Sequence, residues 1–319
     1  MLTRPDFVAK QVIVFSPMKG DKLSFRNDNA LITDGNGKVI HQSTCYRLFA
    51  LFIIGHITIT SGLIQRAKKF NFAIVLMTTT LRPYCVISDF AEGNTLLRQK
   101  QYHVNGLAPA RVLVENKIAN QQSLLKKKRD KTEYDRTVIE VLSGCIENIP
   151  STQDINELMS IEGHASKVYF RAWFDNVTWF GRKPRTKYDM TNALLDIGYT
   201  MLFSYIDAVA AVFGFDRYKG VLHTQFYMRK SLICDLVEPF RIIIDKQVKK
   251  GINLQQFKEA DFYVDNGQWR LKQNKNNLYT EVFIQAILEY KEDIFLYIQQ
   301  FYRKVMKEDL DKLMPRWDF

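Results

Sequence analysis

The hydrophobic pattern changes period once along this chain, and that change limits the folds open to it. Up to about residue 90, apolar residues come in short runs bounded by turn residues. Gln11–Ser16, Lys22–Phe25, Ala30–Thr33, Lys38–His41, Phe49–Gly55, Ala73–Met77 and Leu81–Ile87 read as strands. Asp34-Gly35-Asn36-Gly37 is a hairpin turn, and Ile59–Phe70 has helical spacing. Beyond Ala91-Glu92-Gly93-Asn94 the apolar residues recur at helical spacing. The segments are Thr95–Tyr102, Ala108–Lys128, Thr137–Cys145, Ile155–Trp173, Met190–Phe213, Ser231–Val248, Leu278–Glu289 and Ile294–Lys312. Asp265-Asn266-Gly267-Gln268 gives the one β signal in this half. The expected fold is α+β in two domains. A small β-rich domain over residues 1–90 precedes a larger all-α domain over 91–319, with a hinge near Asp89–Asn94.

At 319 residues, 46% of them hydrophobic and 25% charged, the chain has the composition of an ordered globular protein. Its net charge of +11 favours a polyanionic partner. The longest apolar stretch, 199–215, is short for a membrane span and contains Asp207, and Arg4, Asp6 and Lys10 stand where a signal peptide needs an apolar run. Cys45, Cys85, Cys145 and Cys234 lack CxxC spacing, which argues against a zinc site or a disulfide framework. A cytoplasmic protein that meets nucleic acid is expected, with no membrane partner.

Three separated segments carry the candidate chemistry. Glu162 projects from the edge of an apolar face formed by Leu158, Ala165 and Tyr169. A carboxylate there is costly to bury unless it is paired or metal-bound, and the plain alternative is a boundary residue reaching water. Ser231, Asp235, Glu238, Arg241 and Asp245 make a polar stripe opposite Leu232, Leu236, Phe240 and Ile243. Asp235 and Glu238 are like-charged neighbours that call for a cation, either a metal or Arg241. Pro239 should bend this helix. His223 lies in the loop segment Gly214–Arg229 ahead of it. Of the other histidines, His41 and His103 read as exposed, His56 as core or boundary, and His164 as lying off the face of Glu162. One imidazole with two or three carboxylates suits Mg²⁺ or Mn²⁺, and a hard metal in a basic protein points to phosphate esters.

The ordered motifs add a resemblance. Gly93-Asn94 with Leu97-Arg98 and Gln101 comes first, then Glu162-Gly163 with Ala165, Tyr169 and Phe170. Arg182-Lys183-Pro184 follows, with Asp189, Asn192 to Leu195 and Gly198-Tyr199. Gly214-Phe215-Asp216 runs to Gly220-Val221-Leu222-His223, and Ser231-Leu232 runs to Asp235-Leu236-Val237-Glu238-Pro239-Phe240-Arg241. In this order they resemble the CRISPR-associated integrase family, the metal-dependent DNA endonucleases of spacer acquisition, over nearly the whole chain. The departures are Arg217 where Pro is common, Ser166 where Ala is usual, and Asp196 where Ser or Asn is common. Arg217 should leave the loop before His223 less rigid and more basic, and none of the three falls on a ligand position.

The resemblance implies that Glu162, His223 and Glu238 are catalytic and hold Mg²⁺ or Mn²⁺, with Asp235 a possible fourth ligand or an acceptor behind them. Tyr169, Asn192 and Arg241 would shape the surroundings. The implied reaction inserts captured double-stranded DNA with 3′-hydroxyl ends into CRISPR repeat DNA; with water as nucleophile the site is an endonuclease. His223 ligates only when neutral, so activity should fall as it protonates. Arg182, Lys183, Arg185, Lys187, Arg217, Lys219, Arg229 and Lys230 are candidate phosphate contacts, with solvated surface charge as the plain alternative for each. Trp179, Tyr218 and Tyr227 are candidates to stack on unpaired bases, with a core position the plainer reading for Trp179. Family members work as homodimers bridged by a small second adaptation protein, and the β-rich domain is the dimerisation candidate. A catalytically silent DNA-binding scaffold and a general metal-dependent repair nuclease remain the alternatives.

Overall fold

The computed structural model describes residues 3–88, 93–104, 106–175, 177, 179, 181–223, 226–308 and 314–319. The short helix α1 (Arg4–Val8) leads into β1 (Gln11–Phe15). The strands β2 (Lys22–Arg26), β3 (Asn29–Thr33) and β4 (Val39–Thr44) form an antiparallel meander. Asn27 and Asp28 both adopt positive φ between β2 and β3, as a tight hairpin requires. After β5 (Leu48–Ile54), α2 (Ser61–Phe70) crosses over to β6 (Ala73–Met77), and β7 (Pro83–Ile87) returns. These strands make a second sheet in the order β1-β5-β6-β7, parallel except for β7.

The unbroken apolar runs of β5 and β6 follow from this placement. Leu51, Ile53, Ile74 and Leu76 face α2 and the meander, whereas Ala50, Phe52, Ile54, Ala73, Val75 and Met77 join the core shared with the helices. Both faces are covered, so neither strand alternates with polar residues. His56 is exposed just past β5, which corrects its reading as core or boundary.

The helical part comprises α3 (Thr95–His103), α4 (Leu107–Lys126), α5 (Glu133–Asn148), α6 (Ile155–Trp173) and α7 (Met190–Phe213). It continues with α8 (Ser231–Val237), α9 (Arg241–Asn253), the hairpin β8 (Phe262–Asp265) and β9 (Gln268–Leu271), α10 (Asn276–Leu288) and α11 (Lys291–Lys307). The single helix expected over Ser231–Val248 is interrupted by a 3-10 turn at Glu238–Phe240, because Pro239 supplies no backbone donor. α5 starts four residues earlier than its apolar spacing suggests, since Thr132 and Asp135 form a capping box. The expected helix over Ile294–Lys312 ends at Lys307, and 309–313 lie outside the described residues, as do 89–92 of the expected hinge.

α7 is the one helix among the described residues long and apolar enough to cross a membrane, but 78% of its most apolar window is buried in protein. It is the central core helix, packed against α8, α9, α10 and α11. The polar stripe on α8 and α9 is not a solvated face either. Ser231, Asp235, Glu238 and Asp245 are all buried, so each needs an internal partner.

Candidate metal centre

Two elements place Glu162 and Glu238. α6 begins at the cap residue Asp154, whose side chain accepts from the Glu157 N–H, and its two-turn register brings Glu162 beside α4. The 3-10 turn at Pro239 packs on α4 and aims Glu238 into the same space. His223 arrives on the loop after α7. That loop is clasped by α3: Asn94 donates to the Phe213 carbonyl (3.0 Å), Arg98 to that of Gly214 (3.2 Å), and buried Gln101 donates to the carbonyls of Asp216 (2.8 Å) and Lys219 (3.0 Å). The first motif of the sequence thus acts by holding the histidine loop.

Asp235 closes that loop over α8. Its carboxylate accepts the backbone N–H groups of Val221 (2.5 Å), Leu222 (3.1 Å) and His223 (3.0 Å), and lies 2.6 Å from His223 Nδ1. Gly220 makes this approach feasible, because a Cβ there would stand 2.8 Å from Asp235 Oδ2 and 2.9 Å from the His223 carbonyl oxygen. A carboxylate at this distance favours the proton on Nδ1, and in the neutral ring that leaves the free lone pair on Nε2. Asp235 spends its carboxylate on the loop and the imidazole, whereas the nearby side-chain cations Lys117 and Arg241 pair with Glu238.

Glu162, His223 and Glu238 line one small cavity of about 40 Å³, together with Leu113, Val114, Lys117, Met159 and Leu222. The three side chains from separated segments do come together. Lys117 of α4 stands between the two carboxylates: its Nζ pairs with Glu162 Oε1 and lies 2.6 Å from Glu238 Oε2. Arg241 takes the other oxygen, with Nη2 2.9 Å from Glu238 Oε1. Burial pushes the Glu238 carboxyl up, but Arg241 and Lys117 outweigh it and hold the group down at about 2. Burial likewise disfavours the Lys117 charge, yet Glu238 and Glu162 keep the ammonium above its ordinary value. Ser166 donates to Glu162 Oε1 at 3.0 Å, so this departure from the family pattern, although not at a ligand position, contacts a proposed ligand.

The donor set suits a hard divalent ion: two carboxylates, already gathered round one cation, and an imidazole with an available Nε2. Among the described residues, however, no three His, Cys, Asp or Glu side chains lie in coordinating arrangement as they stand. A cation already sits there, and it belongs to Lys117.

Behind Arg241, Asp245 forms a second buried niche. Its carboxylate accepts the hydroxyls of Tyr169 (2.9 Å) and Tyr199, and Arg241 lies 4.8 Å from the centre of the Tyr199 ring. Burial pushes Asp245 up to about 6, against the pull of both hydroxyls and of Arg241 and Arg182. Tyr169 thus anchors α6 to α9 rather than touching the cavity. Asn192 is also distant from the cavity in its bonding: it accepts from Arg182 (3.1 Å) and the Lys183 N–H (2.8 Å) and donates to the Gly181 carbonyl (3.0 Å). It shapes the 181–183 loop.

The basic candidates divide by their partners. Arg217 and Lys230 converge on buried Asp207, at 3.2 and 2.6 Å, so Arg217 secures the loop that it was expected to loosen. Arg182 pairs with Asp196 at 2.7 Å, which gives that departure a structural role. Arg229 and Lys219 are half-buried, and the Lys187 ammonium is held below its ordinary value by burial. Lys183 and Arg185 are exposed. Arg182 also borders a larger cavity of about 620 Å³, with Gly163, Ser166, Lys167, Phe170, Arg171, Trp179 and Gly181. It opens beside Glu162 on α6 and combines cations with aromatic rings. Trp179 packs on Phe170 and Phe174, whereas Tyr218 and especially Tyr227 are exposed. Sequence reasoning missed Lys117 and the role of Gly220; a lysine one turn after Leu113 and Val114 on an apolar helix was the available signal for the first.

Residues 16–285 match the family described as CRISPR associated protein Cas1. The chain is 28% identical over 306 residues to the CRISPR-associated endonuclease Cas1 1 of Thermodesulfovibrio yellowstonii, covering 89% of this chain and 96% of the relative. A casposase bound to its integration product shares the fold, with a TM-score of 0.79 at 17% identity, covering 97% of this chain and 94% of that one. A chain of a Cas6-RT-Cas1–Cas2 complex also shares it, with a TM-score of 0.79 at 20% identity, covering 97% of this chain and 36% of that one. The family match spans most of the sequence and takes in all three cavity residues, Glu162, His223 and Glu238: this chain belongs to the CRISPR-associated protein Cas1 family.

Proposed function

We propose that this chain is a metal-dependent DNA integrase and endonuclease of CRISPR adaptation, acting in the cytoplasm of a prokaryote. It joins captured double-stranded DNA through 3′-hydroxyl ends to CRISPR repeat DNA. The observation that carries the reading is the convergence of Glu162, His223 and Glu238 on one cavity from three separate segments. These residues would hold Mg²⁺ or Mn²⁺, which when bound supplies neutralisation of the transferred phosphate and orientation of the attacking hydroxyl. The chain's own groups prepare the site. Asp235 fixes the His223 tautomer and ring, Arg241 pins one oxygen of Glu238, and the α3 clasp positions the loop. Phosphodiester exchange needs positioning more than covalent help, so this rigidity is the main protein contribution.

Lys183, Arg185 and the cations around the larger cavity would track the DNA backbone without reading sequence. The relatives that share the fold include a Cas1–Cas2 assembly and a DNA-bound casposase. They support a small adaptation protein as partner, here bridging two homodimers formed through the β-rich region over 1–90. The test is a strand-transfer assay with short duplexes bearing 3′-hydroxyl ends and a supercoiled repeat plasmid, in Mg²⁺, Mn²⁺ or EDTA. Metal-dependent joining abolished by His223→Ala is expected. Cleavage without joining, with the partner present, would leave only a nuclease, and DNA binding with neither reaction would leave a scaffold.

A further inference from the structure

We propose that Lys117 is a resident counter-cation that holds Glu162 and Glu238 together in the metal-free protein and must leave its place for a divalent ion to enter. The inference rests on the reading of those residues as metal ligands and concerns how the site is loaded.

The argument is one of charge and of shared oxygens. Lys117 Nζ pairs with one oxygen of Glu162 and lies 2.6 Å from Glu238 Oε2, and Arg241 holds Glu238 Oε1 at 2.9 Å. Two carboxylates and two cations sum to zero, so the group is already neutral. The Lys117 side chain is only 11% exposed and that of Glu238 only 5%, which leaves little water to screen an added charge. A divalent ion placed beside the ammonium would contend with it for the same carboxylate oxygens and meet strong repulsion there. One of the two resident cations has to move. Arg241 is held by its contact with the Tyr199 ring at 4.8 Å and by Glu238 itself. Lys117 carries its charge on a flexible four-carbon stem. The side of the cavity where Met159 and Glu162 reach solvent is open to it. Lys117 is thus a positioning residue: it keeps two like charges at close range in the empty site, and it competes with the metal for them.

The experiment uses the full chain and Mn²⁺. In Lys117→Met, which keeps the stem and removes the charge, calorimetric Mn²⁺ affinity should rise by roughly tenfold to a hundredfold over wild type. The melting temperature in EDTA should fall, and Mn²⁺ should restore it by more than it raises that of wild type. A lysine needed only for packing, or one that assists the bound metal, predicts unchanged or weaker Mn²⁺ binding, and that result overturns the proposal. Should Lys117→Met not fold, wild type alone decides. Lys117 labelling by acetic anhydride, read by mass spectrometry, should be low in EDTA and rise with Mn²⁺; labelling that stays low at saturating Mn²⁺ overturns the proposal. Glu162→Gln and Glu238→Gln separate the two readings. If Mn²⁺ binds wild type and both variants equally, the metal centre itself is misassigned and the lysine lock falls with it. If binding needs both glutamates but Lys117→Met does not strengthen it, only the lock fails.

Discussion

Glu238 and Asp245 are carboxylates of the same helical segment, both almost fully buried, and they are driven in opposite directions. Glu238 faces a cation on each oxygen and is held ionised, down at about 2. Asp245 receives two tyrosine hydroxyls, with the cations standing farther off, and burial pushes it up to about 6. Burial alone therefore does not decide protonation here; the charge of the nearest partner does. The difference divides the region by task. The Glu238 pocket is set up to hold positive charge next to a solvent-reaching cavity, and the Asp245 niche is a hydroxyl-bonded knot tying α6, α7 and α9 together.

Activity should separate the two most widely. Glu238→Gln removes a proposed ligand charge, and strand transfer should fall by roughly a thousandfold or more. Asp245→Asn keeps the shape of its niche and should cost less than about tenfold. Equal losses in parallel strand-transfer assays would break the division, since the knot would then matter as much to reaction as the pocket.

Stability against pH tests the same contrast with opposite signs. Asp245 has its folded value raised, so the native state binds its proton more readily than the unfolded chain. Its contribution favours folding at acid pH and declines as pH rises from the ordinary aspartate value of about 3.9 through about 6. Glu238 has its value depressed, so its contribution is full above the ordinary glutamate value of about 4.3 and is lost as pH falls through about 2. Each effect is on the order of 3 kcal/mol. Urea unfolding from pH 2 to 8 should show the decline between about pH 4 and 6 flattened in Asp245→Asn. The acid loss should be flattened in Glu238→Gln. Matching profiles for both variants would contradict the assigned partners.

This contrast was only half visible in the sequence, for physical reasons. The strands β5 and β6 could be read from their unbroken apolar runs, and the bounds of α6 and α7 from clear periodicity. The turn at Pro239 followed from its missing donor. Periodicity could not tell that the stripe containing Asp235, Glu238 and Asp245 is interior, because a helix buried on all sides by different neighbours can carry the same pattern as one half-exposed. Glu162 at the edge of an apolar face had an ordinary reading as well, and it was the order of the motifs that joined it to His223 and Glu238. Lys117 went unread because a lysine whose stem lies along an apolar face is ordinary. Its partners belong to two other segments, and pairing between segments leaves no local signature.

Asp235 offers a finer test, because it is a third buried carboxylate, bonded to backbone N–H groups and an imidazole. Asp235→Asn should free the loop and allow the His223 ring to turn, weakening Mn²⁺ binding by about tenfold to a hundredfold. Gly220→Ala should act in the same direction by pushing the loop off the carboxylate. A Mn²⁺ titration in which Asp235→Asn matches Glu238→Gln would make Asp235 a direct ligand and move it into the class of Glu238.

Asp207 carries the comparison to the smallest effect. Like Glu238 it is buried and holds two cations, Arg217 and Lys230, but it lies on α7 beneath the histidine loop and outside the cavity. Those two charges are engaged within the protein and have less to offer DNA phosphates than the exposed Arg185. Removing one phosphate contact lowers the dependence of log affinity on log salt by about 0.9 on duplex DNA. Arg185→Ala should therefore reduce that slope by close to one contact and weaken binding alike across sequences, without changing the melting temperature. Lys230→Ala should leave the slope nearly intact and lower the melting temperature, because buried Asp207 loses its 2.6 Å partner. The reverse outcome would mean that Lys230 exchanges Asp207 for phosphate when DNA arrives. In that case a carboxylate holding two cations would act as a store of charge for the substrate, and the resemblance between Asp207 and Glu238 would be functional.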